Sequence, residues 1–391
     1  MDLRKEIKLS DLVPKRLPKA AAPAPAKRAG RARSTSGSLE LVGLKVGATG
    51  ITAAHVLNNG GKKVVRLAHE SLAPGVVDAG EVRDPAALGE ALADFFAKHS
   101  LPRRNVRLGL ANSRIGVRVI EISGIEDERQ LENAIGFRAH EMLSVPVEEA
   151  VIDYQVLSVE TDEEGTTTRR ILLVVAYRDS VDRYLAAADN AKLELAGIDL
   201  EAFALLRAVS QPTREEDGEP EAAVTAVNIG HERTTLAISN GTICDFTRVL
   251  GWGGGEVSSA LARALKITPS EGETLKHGLS LEPGAEGVEG LADGRAAEAI
   301  EAVRYELQSL VRELLSSLRF YQSQPGSLPI GEILLAGGMT SIPGFAAELE
   351  RELGIRVRVA DPLSRVDLAD GVEPPAQPAT LAVALGLGIE D

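Results

Sequence analysis

The sequence predicts a two-lobed α/β fold with a small inserted subdomain, and three observations carry that prediction. Both halves open alike. VGLKVGATGITAAHV (42–56) and AVNIGHERTTLAIS (226–239) each read as a strand, a turn of small or polar residues, and a second strand. Strand patterns then alternate with amphipathic helices, the longest carrying Ile300, Val303, Leu307, Leu310, Val311, Leu314 and Leu318 as one apolar stripe. Late in the chain a buried-strand pattern, IGEILLAGG (330–338), runs through a Gly-Gly pair into a helical segment. With 391 residues there is enough chain for two cores.

Residues 1–38 hold ten Lys or Arg against three Asp or Glu. Over 14–38 they read as a basic, Pro- and Ala-rich disordered linker. Before it, Leu3, Ile7, Leu9, Leu12 and Val13 stand among charges in a short, imperfect amphipathic segment. Regular structure is expected from Leu39: a hairpin at 40–57, a strand at 63–72 and the turn APGVVDAGEV (73–82). A helix follows at 85–99, with Pro85 at its start and Leu88, Leu92, Phe95 and Phe96 at helical spacing. Next come strands at 105–111 and 115–122 and a helix from Glu126 to Met142. VIDYQVLSV (151–159) and RRILLVVAY (169–177) then read as paired strands. A helix at 179–196 and a strand-like GIDLEAFAL (197–205) close the first half.

The acidic, Pro-bearing QPTREEDGEPEA (211–222) reads as the crossing between halves. The second half gives strands over 222–250 and helices at 256–266 and 295–323. After IGEILLAGG, helices are expected in TSIPGFAAELERELG (340–354) and in the closing ATLAVALGLGI (379–389).

Composition narrows the function. Outside the basic tail, 33 Lys or Arg face 54 Asp or Glu, and so acidic a body repels a phosphate backbone, so no nucleic-acid partner is expected. Charges interrupt the N-terminal residues every few positions, which does not suit a signal peptide, and no apolar run approaches membrane-spanning length. The single cysteine, Cys244, leaves neither an intramolecular disulfide nor a zinc cluster and suits a reducing cytoplasm. The six histidines are scattered without metal-ligand spacing, and no serine nucleophile elbow is present.

The chemistry-bearing features are glycine turns. Gly47 with Ala48, Thr49 and Gly50 forms the first, and Gly230 with His231, Arg233, Thr234 and Thr235 the second; Gly337-Gly338 forms the third. Backbone N–H groups at such turns converge on phosphate oxygens; each turn alone is better explained by strand reversal, and it is the three together that point to phosphates. The glycines of LGWGGGEVSS (250–259) suit either a phosphate region or a tight helix entry beside Trp252.

The order and spacing of these turns resemble the actin-like ATPase superfamily, with its phosphate 1 and phosphate 2 hairpins and GG adenosine motif. Within it, residues 39–391 resemble PilM, the type IV pilus assembly family related to FtsA. LLAGGMTSIPGFAAELERELG, LVRELLSSLRFYQSQ (310–324) and the closing ATLAVALGLGI carry the likeness. QLENAIGFRAHEMLSVPVEEAVIDYQVL (130–157) is similar to the inserted subdomain called 1C. The resemblance implies an actin-like, ribonuclease H-like fold, with lobe I at 39–210 (106–175 as the 1C-like subdomain), a linker at 211–222 and lobe II at 223–391. It places Gly47, Ala48, Thr49, Gly50, Gly230, His231 and Thr234 at the phosphates, and Gly337, Gly338 and Met339 near the adenosine. Glu273 and Lys276, in GETLKHG, match an E-x-x-K that approaches the ribose; an exposed helical pair is the alternative.

Two departures bear on activity. Active members of the superfamily carry carboxylates at the positions of Lys45 and Asn228, where they hold hydrated magnesium. Without them the expectation is ATP bound without efficient hydrolysis or an empty cleft, with little place for magnesium and no catalytic residue. The resemblance implies a cytoplasmic adaptor that captures the N-terminal peptide of a PilN-like membrane protein. Through it the chain would connect to PilO and the pilus motor ATPases. The basic tail, by its own residues, reads either as a solvated segment without function or as a docking peptide or weak membrane contact on a tether. The rivals are an active ATPase, an FtsA-like membrane-tethered filament protein, and a sugar or acetate kinase on the same fold.

Overall fold

The computed structural model describes residues 40–125, 127–143, 146–162, 165–210, 221–241 and 243–390. The basic tail, and all of the interlobe crossing except Glu221 and Ala222, lie outside those residues. Lobe I opens on β1 (Glu40–Val46), β2 (Gly50–Asn58) and β3 (Lys62–Ser71), three antiparallel strands whose apolar residues are largely buried. A two-residue ribbon, β4 (Val77–Asp78) and β5 (Glu81–Val82), leads to α1 (Pro85–Lys98). Asp84 starts that helix: its side chain accepts from the Ala86 and Ala87 amides, and Pro85 has no N–H to satisfy. β6 (Val106–Leu110), buried at every position, then lies parallel to β1.

From here the chain leaves the main sheet. β7 (Ile115–Ser123), α2 (Glu128–Leu143), β8 (Ala150–Thr161) and β9 (Thr167–Tyr177) form a separate three-stranded sheet in the order β7-β9-β8. Leu131, Ile135 and Ala139 of α2 close one face over Ile171, Leu173 and Val175. On the other side Val174 and Ala176 join the lobe I core, so the subdomain is rooted rather than tethered. It starts at Ile115, not at 106: Val106–Leu110 belongs to the main sheet because β1 flanks it on one side and β10 (Leu195–Leu200) on the other. α3 (Arg178–Asn190) packs with α1 on the main sheet. It stops short of the expected 196, where Lys192, at φ 57°, turns the chain into β10. GIDLEAFAL is not one strand; it breaks after Leu200 into α4 (Glu201–Val209).

Lobe II repeats the plan. β11 (Ala223–Ile229), β12 (Thr234–Ser239) and β13 (Cys244–Leu250) are antiparallel. α5 (Gly254–Leu265) and α6 (Pro269–Lys276) follow, the latter started by a Thr268–Glu271 capping box. After a small ribbon, β14 (Leu279–Ser280) and β15 (Gly287–Val288), comes the 30-residue α7 (Asp293–Gln322), whose expected stripe is buried throughout. β16 (Ile330–Gly337) is parallel to β11, and α8 (Phe345–Leu353) leads to β17 (Arg356–Val359). The two sheets share one strand order, β3-β2-β1-β6-β10 and β13-β12-β11-β16-β17.

The chain ends by returning to lobe I. β18 (Asp367–Leu368) adds to the edge of β3, and α9 (Ala382–Gly388) packs on β1 and β2. Together α4 and α9 fill the space between the sheets. Ala202, Ala204 and Leu205 meet Ala226 and Ala237 of lobe II and Val383 and Leu387 of α9. The approach is close enough that a Cβ on Gly43 would overlap the Ala384 carbonyl, and one on Gly386 the Ala204 carbonyl. Gly43→Ala is therefore expected to cost about 1–3 kcal/mol of stability through overpacking. Gly61→Ala, whose Cβ meets nothing within 4 Å, should leave the thermal midpoint unmoved.

Candidate functional site

The two hairpin turns face each other across a cleft of about 520 Å³. Their backbones match. Gly47 N donates to Gly50 O at 2.8 Å, and Gly230 N donates to Arg233 O at 2.8 Å. One step back the registers also match, with Lys45 opposite Thr52 and Asn228 opposite Thr235. Lys45 and Asn228 thus occupy corresponding positions, one from each lobe, and both line the cleft. The third turn closes it. Gly337 has φ 94°, and a Cβ there would overlap the Ile229 carbonyl, so glycine is required beside the second hairpin. Gly338 opens a short 3₁₀ turn, Gly338–Ser341, that carries the buried Met339.

Of the fourteen residues singled out in the sequence, thirteen line this one cleft: Lys45, Gly47, Ala48, Thr49, Gly50, Asn228, Gly230, His231, Glu273, Lys276, Gly337, Gly338 and Met339. Thr234 does not. It is fully buried, and its hydroxyl donates to the Trp252 carbonyl at 2.8 Å, holding the glycine loop against the hairpin. That loop packs closely. Gly254 N donates to Gly230 O at 2.8 Å, Gly255 N donates to His231 O at 2.7 Å, and a Cβ on Gly253 would overlap the His231 carbonyl.

Glu273 and Lys276 lie three residues apart on α6 and are not the exposed pair of the alternative reading. Lys276 is 8 % exposed, and its ammonium donates to Glu273 Oε2 at 2.8 Å and to Gly254 O at 3.1 Å. Burial pushes the Glu273 carboxyl up, but hydrogen bonds from Lys276 and Ser258, with the charges of Lys276 and His231, outweigh it. Its pKa therefore lies below the ordinary carboxylate value.

Sequence reasoning missed several lining residues. Thr52 and His69 form a hydrogen-bonded pair at 2.9 Å between neighbouring strands. Glu201, 4 % exposed, is the first residue of α4 and brings a carboxylate into the cleft from lobe I. The signal for it was an acidic residue directly before the helical spacing of Phe203, Leu206 and Arg207, as expected at a helix start. The charges at the turns are unevenly matched. Lys45 has no hydrogen-bond or ion-pair partner among the described residues, and Asn228 Oδ1 is buried without one. Among the described residues no group of three or more His, Cys, Asp or Glu is placed to hold a metal.

Two sheets of one topology, joined by paired helices and facing each other across opposed hairpin turns, define an actin-like chain with a cleft between its lobes. A family model described as type IV pilus assembly protein PilM matches residues 43–391, and the chain belongs to that family. Among solved structures, a PilM–PilN type IV pilus biogenesis complex is similar in fold. Its TM-score is 0.73 at 24% identity, covering 90% of this chain and 98% of that one. The ethanolamine utilization protein EutJ from Carboxydothermus hydrogenoformans follows with a TM-score of 0.52 at 18% identity, covering 97% and 94%. The cell division protein FtsA of Escherichia coli K12 is 29% identical over 256 residues, 60% of this chain and 60% of FtsA, so the chain spans about three-fifths of that relative. No helix among the described residues is long and apolar enough to cross a membrane.

The Glu273–Lys276 pair makes a pH-dependent contribution whose sign is fixed. A carboxyl lowered in the folded state stabilises above its unfolded pKa, near 4.5, and the stabilisation is lost as pH falls through the lower folded value. Lys276→Met should remove the opposing charge and let burial dominate. The Glu273 carboxyl, followed by carbon NMR, is then expected to titrate at a higher pH than in the wild-type protein.

Proposed function

We propose that this chain is an adaptor of a type IV pilus assembly machine. Its small subdomain captures the cytoplasmic N-terminal peptide of a PilN-like membrane protein, while the cleft holds ATP without efficient turnover. One observation carries the reading. The subdomain over 115–177 is rooted in lobe I and presents large apolar side chains to water, Phe137 at 62 % exposure on α2 and Val159 at 56 % on β8. Apolar groups held out on a rigid support suit peptide docking and play no part in phosphoryl transfer. The solved complex of this fold contains PilN, which supports the same class of partner here. Through it the chain would join PilO and the motor ATPases at the inner face of the membrane, with the basic residues 1–38 adding weak contact.

The cleft's donor set fits a nucleotide and does not fit magnesium. Gly47, Ala48, Thr49, Gly50, Gly230 and His231 would hold the phosphates, Gly337, Gly338 and Met339 the adenosine, and Glu273 with Lys276 the ribose. Lys45, free of partners among the described residues, would neutralise phosphate charge directly. Two unit charges about 4 Å apart at an effective dielectric near 20 interact by about 4 kcal/mol. Exchanging a carboxylate for an ammonium reverses that sign for a divalent cation. A second reading, an active ATPase, is favoured by Glu201 alone, a carboxylate in the cleft able to orient water.

Calorimetry of the full chain with a synthetic peptide, matching the cytoplasmic N-terminus of the PilN-like protein from the same organism, tests the adaptor. Binding is expected, and Phe137→Asp should weaken it by about tenfold or more with an unchanged melting temperature. No heat with wild-type protein would sink the adaptor reading.

A further inference from the structure

We propose that the β11–β12 turn is a latch between the lobes, which ties the state of the cleft to the root of the small subdomain through Glu232 and Arg233. Gly230, His231, Glu232 and Arg233 all line the cleft, and the glycine loop entering α5 clamps the Gly230 and His231 carbonyls from lobe II. The side chains of Glu232 and Arg233 also reach into lobe I. Glu232 Oε2 accepts from the Ala79 amide at 2.7 Å, and Arg233 Nη1 donates to the Ala111 carbonyl.

Both receiving points are shaped for this. Ala79 and Gly80 link β4 to β5 with φ 48° and 74°, a tight turn that aims the Ala79 N–H outward. A Cβ on Gly80 would overlap the Arg233 guanidinium, so glycine leaves the passage for it. The same Gly80 carbonyl accepts from the buried Tyr184 hydroxyl at 3.2 Å, which fixes the ribbon to α3. Ala111 ends the run of β6 and begins the crossing to β7. Three residues on, Arg114 stacks 4.3 Å over the Tyr177 ring, at the end of β9, and reaches Glu81 on the ribbon at 3.3 Å. The root of the subdomain and the β4–β5 ribbon are thus joined to each other, and this four-residue turn joins both to lobe II, beside a second contact in which Arg170 of β9 stands 4.0 Å from Asp245 of β13. Charge-assisted hydrogen bonds of this kind are stronger than neutral ones.

The consequence is directional. A ligand that orders the Gly230–Arg233 backbone tightens both bridges, and protection spreads to the ribbon and to residues 106–116 without touching them. The ligand arm rests on the proposed nucleotide reading; the latch itself does not.

Hydrogen exchange by mass spectrometry on the full chain separates the two. Without ligand, Arg233→Ala should speed exchange roughly tenfold at 77–83 and 106–116 and leave 295–322 unchanged. Equal exchange in variant and wild type would overturn the latch. With ATP at a concentration that calorimetry shows to saturate each protein, wild-type protection is expected at 226–235 and at 106–116, whereas Arg233→Ala, which removes a cleft-lining side chain, should at matched occupancy keep the first and lose the second. Protection reaching 106–116 in the variant would overturn the coupling. If ATP protects nothing in the wild type, the nucleotide reading fails and the ligand-free comparison still decides the latch. Glu232→Gln, a milder change, should speed exchange at the Ala79 amide alone and serves if Arg233→Ala does not fold.

Discussion

The constraint on which the rest depends is the close packing of α4 and α9 between the two sheets. Alanines and glycines fill that layer, so α9 approaches β1 on one side and α4 on the other nearly backbone to backbone. Polar clamps hold the returning chain in place. Arg107, buried in β6, donates to the Ile389 carbonyl at 2.9 Å and pairs with Glu390; Arg207 donates to the Gly386 carbonyl at 2.7 Å while bridging to Asp199. Asn58 donates to the Gly388 carbonyl and accepts from the Glu390 amide. Buried charges of this kind stabilise only when their hydrogen-bonding capacity is met, and here the C-terminal carbonyls help to meet it. With the sheets fixed, the ends of β1 and β11 point at one another, and the turns meet across the cleft.

Much of this was legible in the sequence, for identifiable reasons. The hairpins announced themselves because small residues interrupt strict alternation at equivalent places in both halves. α7 was legible because eleven of its residues are buried along one face. Elements set by distant partners were not. β18 is two residues long and exists only because β3 offers an edge. GIDLEAFAL is a short apolar run in which strand and helix periods cannot be told apart. Its break at Leu200 depends on β6 ending there, and that break concealed Glu201. The subdomain boundary slipped for a similar reason, since Val106–Leu110 looks like any buried strand until β1 and β10 are seen on either side.

The cleft shows how one fold can keep a shape while altering a charge. The backbone turns depend on glycine and on hydrogen-bond register, and these match between the lobes. The side chains beside them are free to change. A lysine stands at one equivalent position and an asparagine at the other, while Glu201 is a carboxylate among the lining residues; on the proposed reading the first two replace the anionic pair a divalent cation needs. The subdomain is rooted in lobe I, where Val174 and Ala176 join the core beneath the first hairpin.

The most direct measurement is calorimetric titration of ATP into the full chain with and without magnesium, repeated on Lys45→Ala. Lysine in the place of a metal predicts binding that is insensitive to magnesium and weakened about tenfold or more by the substitution. Binding that strengthens strongly with magnesium, or that survives Lys45→Ala unchanged, would contradict it.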